Sequence, residues 1–154
     1  MRLPPFQKLI DRHGREVHRF LIGLVGRDEA DDCYQETWLA ALRAYPRLRD
    51  ASNLRSWLFT IAHRKAIDHL RTRRRVPVLA GELPDAGTQT LQPADETLWD
   101  QVRDLPDKQR TALVLRFVVD ASYTDISAVM RTSEEAARRS VHEGLKRLRR
   151  EYQP

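Results

Sequence analysis

A single cysteine, Cys33, leaves this chain unable to form an internal disulfide or a cysteine-rich zinc cluster. It stands among apolar positions of helical spacing and reads as a core residue rather than a redox centre. The 5 histidines do not supply metal chemistry either. His13, His18, His63, His69 and His142 match neither the HExxH spacing nor a Cys/His zinc pattern, and the spacing of His63 and His69 keeps them off a common helix face. No P-loop, glycine-rich dinucleotide motif or GxSxG is present. The chain is therefore not expected to be an enzyme, and no catalytic residue, cofactor or metal is expected. No apolar run approaches the ~20 residues of a membrane-spanning helix. The N-terminus lacks a basic-then-apolar signal segment, so a cytoplasmic location without membrane insertion is expected.

What the chain does have is charge. Charged residues make up 32% of its 154 residues, the formal net charge is +5 and the pI is about 9.8. That balance favours an anionic partner: nucleic acid, an acidic protein or, least of the three, a membrane surface. The hydrophobic fraction of 41% suffices for one domain or two small ones.

The apolar periodicity is helical throughout, so the fold class is all-α. Phe6, Leu9, Ile10, Val17, Phe20, Leu21, Leu24 and Val25 mark a first helix, stopped at Gly26. Asp28 is a candidate N-cap for a second, whose inward set is Ala30, Cys33, Tyr34, Thr37, Trp38, Ala41, Leu42 and Tyr45. The stretch from Leu54 to Arg75 predicts a third helix, capped by Ser52 or Asn53 and apolar over enough of its circumference to pack against more than one neighbour. Residues 76–97 contain no lysine or arginine and are rich in proline and glycine; they read as an extended acidic linker. Two small helical domains follow from this, 1–75 and 98–154, and the tether would let them sit well apart on one large partner.

In the second domain, helices over 98–105 and from Asp107 precede a short helix from Tyr123 to about Met130, opened by Ser122 with Asp125. After a break at Arg131–Thr132, a capping box of Thr132 and Glu135 starts a last helix running to about Arg150.

Three surfaces stand out. Asp28, Asp31, Asp32, Gln35 and Glu36 share one face of the second helix at three- and four-residue spacing, a concentrated acidic face in a basic chain. The third helix ends in Arg64, Lys65, Arg71, Arg73, Arg74 and Arg75, a form suited to holding a polyanion or, equally, a solvated face. A short helix, a tight break and a longer basic helix make a helix-turn-helix, which braces on the backbone and presents the second helix to base edges. Glu134, Glu135, Arg138, Arg139 and His142 are placed for this, since arginine pairs with guanine and glutamate accepts from cytosine. An ordinary helical hairpin with a charged outer face has the same pattern.

Taken together, these motifs resemble a bacterial RNA polymerase sigma factor of the extracytoplasmic function (ECF) type, over nearly the whole chain. Ala30–Leu42, ADDCYQETWLAAL, looks like the family's acidic polymerase-binding helix. Leu54–Arg75 is similar to its −10 segment, with Trp57-Leu58, Ile61-Ala62, Ala66-Ile67-Asp68 and Leu70-Arg71 at the family spacing. Leu105–Arg150 resembles its −35-binding region, through Leu105-Pro106, Arg110, Leu115-Arg116 and Ser122-Tyr123-Thr124-Asp125-Ile126. The chain departs from the family pattern at Arg64, at Asp125 and Ser127, at Arg131, at Glu135-Ala136-Ala137 and at Glu143-Gly144.

The resemblance implies binding to core RNA polymerase, at the β′ clamp helices and the β subunit, and promoter-specific initiation. Asp31, Asp32, Gln35 and Glu36 would dock on the clamp. The loop 47–56, with Arg47, Arg49, Asn53, Arg55 and Ser56, would hold an unstacked −10 base, and Arg64, Lys65, Arg71, Arg73, Arg74 and Arg75 would hold phosphates. Thr132, Ser133, Glu134, Glu135, Arg138, Arg139, His142 and Lys146 would face the −35 duplex. Promoter DNA and an anti-sigma factor are the other implied partners. Two alternatives stay open at this point: a sigma mimic that sequesters an anti-sigma factor, and a stand-alone helix-turn-helix regulator.

Overall fold

The structure, a computed structural model, describes residues 3–75 and 93–151. Every regular element among them is helical: α1 (Phe6–Val25), α2 (Arg27–Ala44), a 3₁₀ turn (Tyr45–Arg47), α3 (Leu54–Arg75), α4 (Pro93–Asp104), α5 (Asp107–Phe117), α6 (Tyr123–Met130) and α7 (Glu134–Glu151).

Helices α1, α2 and α3 pack on one another around Phe20, Leu21, Leu24, Leu58, Phe59 and Ala62. Phe20 and Phe59 meet edge to face at 5.3 Å, the arrangement their ring quadrupoles favour. Cys33 is fully buried here, and its carbonyl accepts from the Thr37 hydroxyl at 2.7 Å. Burial, then the charges of Glu36, Glu29 and Asp32, pushes its thiol up to about 11. The reactive thiolate is therefore suppressed, as a core reading requires.

The corner between α1 and α2 differs from expectation. Asp28 is not the N-cap; α2 begins at Arg27, directly after Gly26. Gly26 has φ +86°, donates to the Ile22 carbonyl at 2.9 Å and accepts from the Ala30 N–H at 3.0 Å, so one residue closes one helix and opens the next. That left-handed backbone is open to glycine at little cost. Asp28 and Glu29 consequently fall in the first turn, where their charge suits the helix dipole.

In the second half, α4 begins at Pro93, ahead of the expected start near Leu98, and residues 76–92 of the expected linker lie outside the described residues. Helix α7 lies close against α5: a Cβ at Gly144 would stand 2.8 Å from Leu113. The helix-propensity cost of this glycine, about 1 kcal/mol, thus accompanies a close approach. Ser122 caps α6 as expected, its Oγ accepting from the Asp125 N–H at 3.1 Å. The cap of α7 is Ser133 rather than Thr132: Ser133 Oγ accepts from the Ala136 N–H at 3.0 Å. Arg131 at φ 53° turns the chain, and Thr132 spends its N–H on the Ser127 carbonyl at 3.0 Å to close α6.

The two halves do not sit apart. Helices α4 and α5 lie against α1, and α6 lies against α3, so the buried apolar residues of both halves form one continuous cluster. Arg110, 5% exposed, reaches from α5 to the Leu24 carbonyl of α1 at 3.4 Å. A helix of wide apolar coverage needs several neighbours, and α3 takes its third from the other half.

Candidate functional site

Helix α2 buries Ala30, Cys33, Thr37, Trp38 and Ala41. The opposite face, Asp31, Asp32, Gln35 and Glu36, is exposed. Asp31 Oδ1 lies 3.0 Å from His18 Nε2, an exposed contact of small worth. Two leucines continue this face: Leu39 is 54% exposed and Leu42 is 51% exposed. Leu42 was expected to point inward; at ~100° per residue it falls away from the buried Ala41 and follows Gln35 and Leu39 at four- and three-residue steps. Counting around the helix from Glu36 rather than sorting by apolarity would have found both. The result is a ridge, acidic at one end and apolar at the other. Glu29 lies off it, only 20% exposed, 2.6 Å from His69 Nε2 and 2.7 Å from Arg73 Nε, and so ties α2 to α3.

The second surface is built at the start of α3. Asn53 Oδ1 accepts from the Ser56 N–H at 3.1 Å and caps the helix, while Ser56 is 8% exposed. Ahead of it, Arg47 and Arg49 are exposed, and Asp50 accepts from the Ser52 N–H at 2.9 Å, which lowers its carboxyl below the ordinary value. A cleft of about 430 Å³ opens between this loop and α1, lined by Lys8, Arg12, His13, Asn53, Leu54 and Arg55. Lys8, Arg12 and His13 were not singled out from sequence; their spacing on α1 was there to read, but nothing local says which loop they face. Arg55 donates to both carboxylate oxygens of Glu16 at 3.2 Å.

Farther along α3, Arg64 and Arg71 are exposed and Lys65 is half-buried. They do not share one role with Arg73, whose charge is engaged by Glu29. Arg74 and Arg75 end the helix, and their side chains lie outside the described ones. His63 is pushed below its ordinary value by burial against α6, opposed by the Asp107 carboxylate and a hydrogen bond to the Val129 carbonyl.

On the third surface, part of the expected set is structural. Thr132 and Ser133 make the turn and cap, and Glu134 accepts from the Thr124 hydroxyl at 2.7 Å. The Arg138 guanidinium lies 4.9 Å from the Tyr123 ring, which Arg116 also covers at 4.7 Å. Glu135, Arg139, His142 and Lys146 form an exposed stripe along α7. The arrangement gives an acidic-apolar ridge and two separate basic surfaces, with no cluster of metal-ligating side chains among the described residues.

Two family models match the chain: Sigma-70 region 2 over residues 9–76 and Sigma-70, region 4 over residues 95–148. The chain is 32% identical to the RNA polymerase sigma factor CarQ of Myxococcus xanthus, over 94% of this chain and 87% of that one. It is 28% identical to the ECF RNA polymerase sigma-E factor of Haemophilus influenzae, over 97% and 88%. In fold it is similar to the sigma factor RpoE, solved in complex with the anti-sigma factor NepR from Bartonella quintana, with a TM-score of 0.76, 24% identity and 94% of both chains covered. CnrH, solved with the cytosolic domain of CnrY, aligns with a TM-score of 0.68 at 22% identity, over 93% of this chain and 84% of that one. With both regions matched in order and a relative of this identity spanning almost its full length, the chain belongs to the sigma-70 family of RNA polymerase sigma factors, in its extracytoplasmic function group.

Proposed function

We propose that this chain binds core RNA polymerase in the cytoplasm and directs it to a dedicated set of promoters, without catalysing a step itself. The observation that carries the proposal is the separation of surfaces: an exposed acidic-apolar ridge on α2, distinct from the basic faces of α3 and α7. A stand-alone DNA-binding regulator has no use for that ridge. Asp31, Asp32, Gln35 and Glu36 dock on the β′ clamp helices, joined by Leu39 and Leu42 as the apolar anchors that protein interfaces need. The β subunit takes the second half.

The loop 47–56 receives an unstacked −10 base in the cleft beside α1, where Lys8 and Arg12 add charge. Extrusion costs a few kcal/mol, which a cationic, partly apolar pocket offsets. Arg47, Arg49, Arg64, Lys65, Arg71, Arg74 and Arg75 hold the backbone. Glu135, Arg139, His142 and Lys146 read the −35 duplex, with Arg138 held beside them by Tyr123. Two working halves, 1–75 and 98–154, divide these tasks, and an anti-sigma factor is the regulatory partner the family suggests.

Charge reversal at the ridge tests the docking surface. Asp32→Lys with Glu36→Lys places like charges against a cationic partner, a change that costs several kcal/mol. The double variant is expected to lose co-purification with core polymerase while keeping its helical circular dichroism. Undiminished capture by core enzyme would remove α2 from the interface.

A further inference from the structure

Arg64 and Arg131 lie far apart in the chain, and both depart from the family pattern, yet the fold brings them to one cleft. The cleft opens between α3 and the end of α6 and has a volume of about 270 Å³. One wall carries Arg64, Asp68 and Arg71, at four- and three-residue steps along α3, and the other carries Arg131. All three arginines are exposed, and none is paired with a carboxylate among the described residues. Other cations of α3 are spent: Arg55 is held by Glu16 and Arg73 by Glu29. Three guanidiniums thus face one carboxylate, and the cleft keeps a positive charge that the chain itself does not neutralise.

The backbone at Arg131 points the same way. It stands at φ 53° and ψ 52°, in the left-handed turn that ends α6. Glycine takes that conformation without strain, whereas a residue with a side chain is strained there, and such strain gathers at ligand clamps. Two carbonyls of the last turn of α6, which would repel an anion, are already engaged. Ser127 accepts from the N–H groups of Arg131 and Thr132, and Val129 accepts from His63.

Guanidinium groups pair bidentately with phosphate. Arg64 and Arg71 stand ~10 Å apart along the helix axis, a spacing that a chain of phosphates suits better than a single one. The cleft falls at the small end of the ~300–1,000 Å³ range of ligand sites, so it takes the phosphates and leaves any attached nucleoside outside.

We propose that the α3–α6 cleft is a binding site for a small polyphosphate, a diphosphate or longer chain, free or as the tail of a nucleotide, held by Arg64, Arg71 and Arg131. Its effect on promoter binding rests on the reading of Arg64 and Arg71 as holders of the promoter backbone. These two guanidiniums cannot serve both anions at once, so polyphosphate and promoter compete. Arg131 belongs to the polyphosphate site alone.

Isothermal titration calorimetry of the full chain with sodium pyrophosphate, and separately with ATP, tests the site. Pyrophosphate is expected to bind at a single site. Equal affinity for ATP would assign recognition to the phosphates alone, and tighter ATP binding would assign the nucleotide as the source. Arg131→Gly, which relaxes the turn, and Arg64→Gln are each expected to weaken pyrophosphate binding at least about tenfold, the loss of a charge-assisted hydrogen bond. Arg15→Ala removes an exposed cation of α1, beyond the reach of the cleft, and is expected to leave binding within about twofold. Absence of binding at millimolar pyrophosphate would overturn the site. So would an Arg131→Gly chain that binds like wild type, or an Arg15→Ala chain weakened as much as the cleft variants. Promoter-complex formation with core polymerase, without nucleotides, is expected to fall severalfold under saturating pyrophosphate for wild type and to resist it for Arg131→Gly. Equal sensitivity of the two would overturn the competition. A chain that binds pyrophosphate but forms no promoter complex would overturn the initiation reading and leave the site standing.

Discussion

Helices α2 and α3 are neighbours in one body, and they treat their charges in opposite ways. On α2 Asp31, Asp32, Gln35 and Glu36 look outward, and the contact of Asp31 with His18 is highly exposed. On α3 several charges are engaged inward while Arg64 and Arg71 stay exposed: Arg55 binds Glu16 and the Val119 carbonyl, His69 and Arg73 bind Glu29, and His63 is covered by α6. The difference teaches that a run of cations is not a uniform surface. Each internal partner a cation has is free energy it must give up before it can bind DNA.

The largest effect that sharpens this contrast comes from the ridge. Leu39→Asp with Leu42→Asp places carboxylates where apolar anchors are proposed, and binding to core polymerase, measured by titration, is expected to weaken at least about a hundredfold. Oligonucleotide binding is expected to stay unchanged. Loss of both together would mean that α2 and α3 are not separable surfaces.

Next in size is Glu29→Gln, which cuts the tie between the helices. Charge-assisted hydrogen bonds to a 20% exposed carboxylate are removed, so thermal unfolding is expected to shift by about 1–2 kcal/mol, discounted for the 60% exposure of Arg73. An unshifted midpoint would make the Glu29 contacts ornamental.

A smaller effect separates two arginines of one helix. Each phosphate contact contributes ~0.7 to the logarithmic salt slope for a single strand and ~0.9 for duplex. Arg71→Ala is expected to lower the slope of promoter-complex formation by about that amount, and Arg73→Ala by less, because Glu29 already neutralises it. Equal losses would contradict the distinction.

The smallest effect is one of pH. His63 titrates below its ordinary value near 6.5 because burial disfavours its charged form, so packing of α6 on α3 favours the neutral ring. The packing is at full strength above pH 6.5 and weakens as pH falls below it. The groups around the ring are Asp107 from α5, Arg64, Asp68 and Arg71 on α3, and Arg131 at the end of α6. Scattering from the full chain is expected to show slight expansion on going from pH 7.5 to 5.5, reduced in His63→Gln. A radius independent of pH would mean that His63 does not feel the contact.

Local chemistry explains what could be read from sequence. The limits of α3 and α6 follow from Asn53 and Ser122 caps and from apolar spacing, all within a few residues. The acidic face of α2 was visible because a helix face is a one-dimensional pattern. Leu42 is exposed despite its apolar side chain, because apolarity alone does not fix burial and folded surfaces carry much apolar area. Ser133 displaced Thr132 as cap because Arg131 turns left-handed, a choice set by the packing of α6 on α7. The seating of the two halves, the partners of Asn53 and Arg55, and the contribution of Lys8, Arg12 and His13 to the cleft depend on which surfaces meet across the chain. No local pattern encodes that.

Reconstituted transcription on genomic DNA, with core polymerase and this chain as the sole specificity factor and all RNA 5′ ends mapped, tests the account at its centre. Discrete start sites are predicted, sharing upstream elements at a fixed spacing and absent with the Asp32→Lys, Glu36→Lys variant. Core enzyme that gains no start sites from the chain, or gains the same ones from the variant, would contradict it.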